Sequence, residues 1–179
     1  MPEISWDFKD KVEGIVDTGI IVIAHFTNPI KEKAVYFLSE VLKGNRPLLI
    51  PLTTFVGAYH ILTRYLKVPH AEAKIALATT LRLNSEYFFP VVDIALTEQA
   101  LDFATVYNVE SWDGYLIALA YLFETRNIYT IDRKLRKISQ LNFISPINDK
   151  ELQLYHQFLQ DTVFSRKNVT GSDDSDASR

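Results

Sequence analysis

Three aspartates stand where apolar segments begin or end: Asp17 in IVDTGIIVIAHF, Asp113 in ESWDGYLIALAYLF and Asp132 in IYTIDRKL. An ionised carboxylate beside buried hydrophobic chain is costly unless a cation, a hydrogen-bond donor or a helix N-terminus compensates it. Three such positions in one chain predict a shared cation. The sequence has no cysteine, and His25, His60, His70 and His156 lie in unrelated segments that form neither HxH nor HExxH. Each histidine therefore reads as a surface or packing residue, and an all-oxygen set favours Mg²⁺ or Mn²⁺ over zinc. Such an ion keeps several waters, lowers the pKa of one and binds a phosphate oxygen, which is apparatus for phosphodiester hydrolysis. Thr18 and Thr130 stand one and two residues from their aspartates and can orient a water or a carboxylate, or serve equally as a cap and a strand residue. Taken singly, each aspartate also reads as a helix cap or first-turn residue.

The elements that must position these acids alternate. GIVDTGIIVI, from Gly14, reads as a buried strand ending at Asp17, with Asp17 and Thr18 opening a short helix to about His25. Apolar residues at 34, 35, 37, 38, 41 and 42 predict a helix over Lys31 to Leu42, stopped by Gly44 and Asn45. PLLIPL reads as a buried strand, Thr53 or Thr54 as the cap of a helix carrying Phe55, Tyr59, Leu62 and Leu66, and Pro69 to Leu83 as the next helix. YFFPVV is an edge strand because of its proline, Thr97 caps a helix burying Leu96, Ala100, Phe103, Ala104 and Tyr107, and Ser111 introduces a helix that is apolar nearly all round. IYTI, ending at Asp132, and LNFISPI supply the fourth and fifth strands. Asn148 and Glu151 form a capping box for a final helix bearing Leu152, Tyr155, Leu159 and Val163.

Alternation of this kind predicts an α/β fold: a three-layer α-β-α sandwich with a four- or five-stranded parallel sheet. Sites in such sheets form at the carboxyl ends of the strands, where Asp17 and Asp132 fall and which Asp113 can approach. The 179 residues fit one domain over 1–165, with its C-terminal helix at about 149–164 and a disordered polar tail over 166–179.

The longest uncharged apolar run, Tyr115 to Phe123, is half the length that spans a bilayer, and the opening MPEISWDFKDKVEG lacks a signal-peptide layout. The expectation is a cytoplasmic protein with no membrane partner. A net charge of −3 gives no global attraction to nucleic acid, so any such binding needs a local patch. Arg133, Lys134, Arg136 and Lys137 in RKLRK offer one, or simply a solvated face. The six glycines form neither GxGxxG nor GxxxxGK[ST], and GxSxG is absent, which weakens dinucleotide, P-loop and α/β-hydrolase readings. A phosphohydrolase of the DxD type would need a second acid where the chain has Asp17-Thr18-Gly19.

Together, IVDTGIIV, SWDGYLIALA and YTIDRKL resemble the acid-bearing segments of the PIN domain, the fold of VapC-type toxin ribonucleases, over about residues 13 to 146. The resemblance implies a metal-dependent endoribonuclease acting on single-stranded RNA, with Asp17, Asp113 and Asp132 as ligands of one or two Mg²⁺ or Mn²⁺ ions and Thr130 as a supporting polar group. It implies a small antitoxin as partner, and a homodimer is expected. The family pattern also places a glutamate in the helix after the second strand, where this chain has Gly57, with no acid between Glu40 and Glu72. Glu110, or a water held by Thr53 and Thr54, is a candidate replacement. The alternative function is a catalytically weak or inactive PIN domain acting as an RNA- or protein-binding scaffold.

Overall fold

The computed structural model describes residues 12–164; the polar tail expected over 166–179 lies outside them, as does the side chain of Val163. Five short strands, β1 (Gly14–Val16), β2 (Leu48–Pro51), β3 (Phe88–Phe89), β4 (Asn127–Tyr129) and β5 (Asn142–Ile144), form one sheet in the order β3-β2-β1-β4-β5. Every pairing is parallel, with Ile15 opposite Leu49 and Ile128. Around it run α1 (Thr18–Ala24), α2 (Lys31–Leu42), α3 (Leu52–His60), α4 (His70–Leu81), α5 (Ile94–Tyr107), α6 (Ser111–Leu122) and α7 (Asp149–Leu159).

The strands are apolar throughout because both faces are covered. Val16, Leu48 and Ile50 point into a core built with α1, α2, α3, α4 and α7. Their neighbours Ile15, Leu49 and Ile128 point the other way, into a core built with α5 and α6. These are the three layers that the alternating pattern predicts. β3 is an edge strand of two residues, cut off at Pro90, as expected where a missing N–H cannot feed a ladder.

Helix α6 is buried continuously from Gly114 to Ala120. Gly114 makes this possible, since a Cβ there would lie 2.2 Å from the Ala100 carbonyl oxygen and 3.0 Å from the Ala104 nitrogen of α5. The capping box of α7 is present, with Glu151 N–H donating to Asn148 Oδ1 at 2.9 Å. Gly44 follows α2 at φ +79°, the left-handed position that suits glycine.

Three local expectations are corrected. Pro51 rather than Thr53 or Thr54 is the N-cap of α3, and Thr54 instead donates its hydroxyl to the Pro51 carbonyl at 2.6 Å. Asp93 caps α5, accepting from Leu96 N–H at 2.8 Å, while Thr97 sits inside the first turn and donates to the Asp93 carbonyl. Strand β4 stops at Tyr129, so Asp132 stands beyond the strand rather than at its end. The cause is Thr130, whose hydroxyl takes the Asp132 N–H at 2.9 Å and bends the chain out of the ladder.

The histidines behave as packing or surface groups. His25 is buried, its Nδ1 donating to the Ile21 carbonyl at 2.6 Å, which leaves Nε2 to accept from the Thr80 hydroxyl at 2.8 Å. His60, His70 and His156 are exposed. Phe55 of α3 and Leu62 in the helical turn that follows it face the core, whereas Val56 and Tyr65 face solvent. Among the described residues, no helix is long and apolar enough to cross a membrane.

Candidate active site

β1 and β4 lie side by side at the middle of the sheet, and the chain leaving each carries a candidate acid. Asp17 is the N-cap residue of α1, with its N–H donating to the Tyr129 carbonyl at 2.9 Å. One residue past β4, Thr130 is only 3% exposed. Its hydroxyl donates to Asp17 Oδ2 at 2.6 Å and accepts from the Asp132 N–H, so one side chain joins the two acids. Asp132 is oriented in turn, with Oδ1 accepting from the Lys134 N–H at 2.8 Å. Asp113 sits in the first turn of α6, and its carboxylate draws on the backbone N–H of Glu110, the N-cap residue. That is half of a capping box.

Electrostatics tie these groups together. Burial raises the pKa of Asp17; the Thr130 hydroxyl pulls it back, as do the Thr18 and Gly19 N–H groups of α1, and the charge of Asp132 raises it again. The two N–H groups act by proximity, since the carboxylate makes no hydrogen-bonded cap. Asp113 is pushed up to about 7, first by burial and then by the charges of Asp17, Asp132 and Glu110. Four carboxylates therefore sense one another, and the ion pairs of the described residues, Lys33 with Glu151 and Arg133 with Asp149, involve none of them. Mutual repulsion of this kind is what a bound cation would relieve.

The oxygen chemistry thus fits Mg²⁺ or Mn²⁺, but the cage is not preassembled. Among the described residues, no three Asp, Glu, His or Cys side chains converge closely enough to hold an ion as they stand. Position 57 adjoins the site, since a Cβ on Gly57 would meet the Thr18 methyl at 3.2 Å, one residue from Asp17. Of the suggested replacements for an acid there, Thr54 is committed to the Pro51 carbonyl and Thr53 lies at the Tyr115 hydroxyl. Glu110 is near enough for its charge to raise the pKa of Asp113.

The basic segment forms a short 3₁₀ turn, Lys134–Lys137, and is less free than its sequence suggests. Arg133 is paired with Asp149 of α7, and Lys137 Nζ donates to the Asn108 carbonyl between α5 and α6 at 2.9 Å. Lys134 and Arg136 are exposed. Sequence reasoning passed over Trp112, which is 51% exposed beside Asp113; a tryptophan in a first turn next to a candidate acid was the available signal.

No family model matches the chain, and no curated protein matches it. Solved structures do. The VapC20 toxin of Mycobacterium tuberculosis, described as cleaving the sarcin–ricin loop, superposes with a TM-score of 0.53 at 18% identity, over 69% of this chain and 92% of that one. A toxin–antitoxin complex from Klebsiella pneumoniae gives 0.49 at 16% identity, over 75% of this chain and 98% of that one. FitAcB from Neisseria gonorrhoeae gives 0.47 at 16% identity, over 74% and 96%. With its five-stranded parallel sheet between two helical layers, the chain has the PIN-like α/β fold of the VapC toxins.

Proposed function

We propose that this protein is a metal-dependent endoribonuclease that cleaves single-stranded RNA, of the toxin type held in check by an antitoxin. The observation that carries the reading is the Asp17–Thr130–Asp132 link at the ends of β1 and β4, with Asp113 electrostatically coupled to both acids. A solved neighbour of the same fold, described as a toxin that cleaves the sarcin–ricin loop, supports RNA as the substrate class.

In this reading Asp17, Asp113 and Asp132 hold Mg²⁺ or Mn²⁺. The bound ion supplies a water of lowered pKa and neutralises charge on the phosphate. Thr130 fixes the Asp17 carboxylate through Oδ2 and holds the Asp132 backbone at the same time. Asp113 gives up its proton to take part, which its pKa near 7 allows under neutral conditions. Lys134 and Arg136, the exposed members of the basic turn, draw in the RNA backbone. An antitoxin covering the acids, and a second copy docking through exposed apolar residues of the segment from Phe55 to Leu83, such as Val56, Tyr65 and Ile75, complete the proposal.

The test is cleavage of a labelled single-stranded RNA with Mg²⁺, with Mn²⁺ and with EDTA. Activity is expected only with metal and is lost in Asp17→Asn and Asp113→Asn; either variant retaining it would refute the assignment. A second reading, a weak or inactive scaffold that binds RNA or protein, is favoured by the open acid set and by Gly57 beside Thr18. It predicts RNA retained without cleavage and activity created by Gly57→Glu.

A further inference from the structure

Trp112 has no evident structural reason to be where it is. A tryptophan normally buries most of its large apolar surface, yet this one is 51% exposed in the first turn of a helix that is buried from Gly114 onward. Its sequence neighbour is Asp113, which feels the charges of Asp17 and Asp132. Cationic chain is close by as well. Lys137 is fastened to the Asn108 carbonyl, at the left-handed residue that ends α5 and four positions before Trp112, which brings the RKLRK turn up to the start of α6. Arg136 on that turn is exposed. An exposed indole one residue from a candidate acid and four from the residue that anchors a basic turn matches a nucleotide in two ways: the phosphates suit the cations, and the base suits the indole.

We propose that Trp112 is a stacking platform for a nucleobase next to the phosphate presented to Asp17, Asp113 and Asp132. This rests on the ribonuclease reading and deepens it. Stacking uses the face of the base rather than its edge, so it is sequence-tolerant and needs an unpaired base. A duplex keeps its bases stacked on one another and cannot offer that face, so Trp112 makes the site selective for single strands without making it selective for sequence.

The protein has two tryptophans, Trp6 and Trp112, so Trp6→Phe leaves Trp112 as the only indole emitter. In EDTA at low salt, a uridylate dodecamer and its deoxythymidylate counterpart are expected to quench this emission, and an abasic strand of the same length is not. Trp112→Ala should weaken dodecamer binding on the order of tenfold and Trp112→Phe should restore most of it, with thermal melting confirming that both variants fold. In cleavage assays the alanine variant should raise KM and largely spare kcat. Unchanged binding by Trp112→Ala, or equal quenching by the abasic strand, would overturn the stacking role and leave the ribonuclease reading standing. Failure of every strand to bind would likewise overturn the stacking role, while the ribonuclease reading stands or falls on metal-dependent cleavage.

Discussion

Replacing Asp113 with asparagine should make the metal-free protein more stable at pH 7.5, although it removes a residue assigned to the site. Asn is nearly isosteric and keeps an oxygen to accept the Glu110 N–H, so the change isolates charge. The carboxyl of Asp113 goes from an ordinary 3.8 to about 7 on folding, through burial and three neighbouring carboxylates. Between those values the folded state binds more protons than the unfolded one. Stability therefore falls as pH rises from about 4 through about 7, and the penalty is complete above that. Full conversion of the interval would give ~4 kcal/mol. Asp113 is only partly buried, and solvent screening reduces this to ~1–2 kcal/mol. For a chain of this size that corresponds to a rise in Tm of about 2–8 °C. Thermal melts in EDTA at pH 7.5 and 4.5 are the assay: the variant's advantage should be present at the higher pH and nearly absent at the lower. Millimolar Mn²⁺ should then stabilise the wild type more than the variant. An Asp113→Asn protein no more stable than wild type at pH 7.5, or one whose advantage is the same at both pH values, would refute the charge-crowding argument.

Thr130→Val keeps the shape of the side chain but strips the hydroxyl from between Asp17 and the Asp132 N–H. A loss of ~1–3 kcal/mol in urea unfolding is expected, together with reduced cleavage, and a silent substitution would contradict the linking role. Gly114→Ala improves helix propensity yet should destabilise by ~1–3 kcal/mol, because its Cβ meets the Ala100 carbonyl; a more stable variant would show that α5 and α6 are not in such close contact. His25 titrates in the opposite sense to Asp113. Burial lowers its pKa, so the stability it contributes is present above its unfolded value of about 6.5 and is lost as pH falls below it. His25→Asn should flatten the pH dependence of Tm in that acid range, and an unchanged slope would remove His25 as its source.

Much of this was legible in the sequence because burial leaves a period. Runs such as LLI and the continuous apolar stretch of α6 have no polar face, and they occupy the two-sided interior of the sheet and the helix beneath it. The capping box at Asn148 was legible because both of its partners are local. The caps of α3 and α5 were not, since Thr53, Thr54 and Thr97 are as good on paper as Pro51 and Asp93. Only backbone geometry selects between them. The basic run misled in a similar way: its composition is local, but Arg133 and Lys137 find their partners at Asp149 and Asn108, far away in sequence. The two-residue spacing of Thr130 to Asp132 left it open between a supporting group and a strand residue, the resemblance alone implied the supporting role, and its bond to Asp17 is visible only in three dimensions.

The hydrogen bond from Thr130 to Asp17 spans 113 positions of sequence. The first acid leaves the ribosome early and its partner late, with six α-helices and three strands to be made in between. An N-terminal fragment that extends past α2 but ends before Thr130 contains β1, α1 and α2 and carries Asp17 without the hydroxyl that orients it. Translation thus supplies a built-in delay: a nascent or prematurely terminated chain has the core without the constellation. Whatever the site does, it does only once nearly the whole sheet has closed.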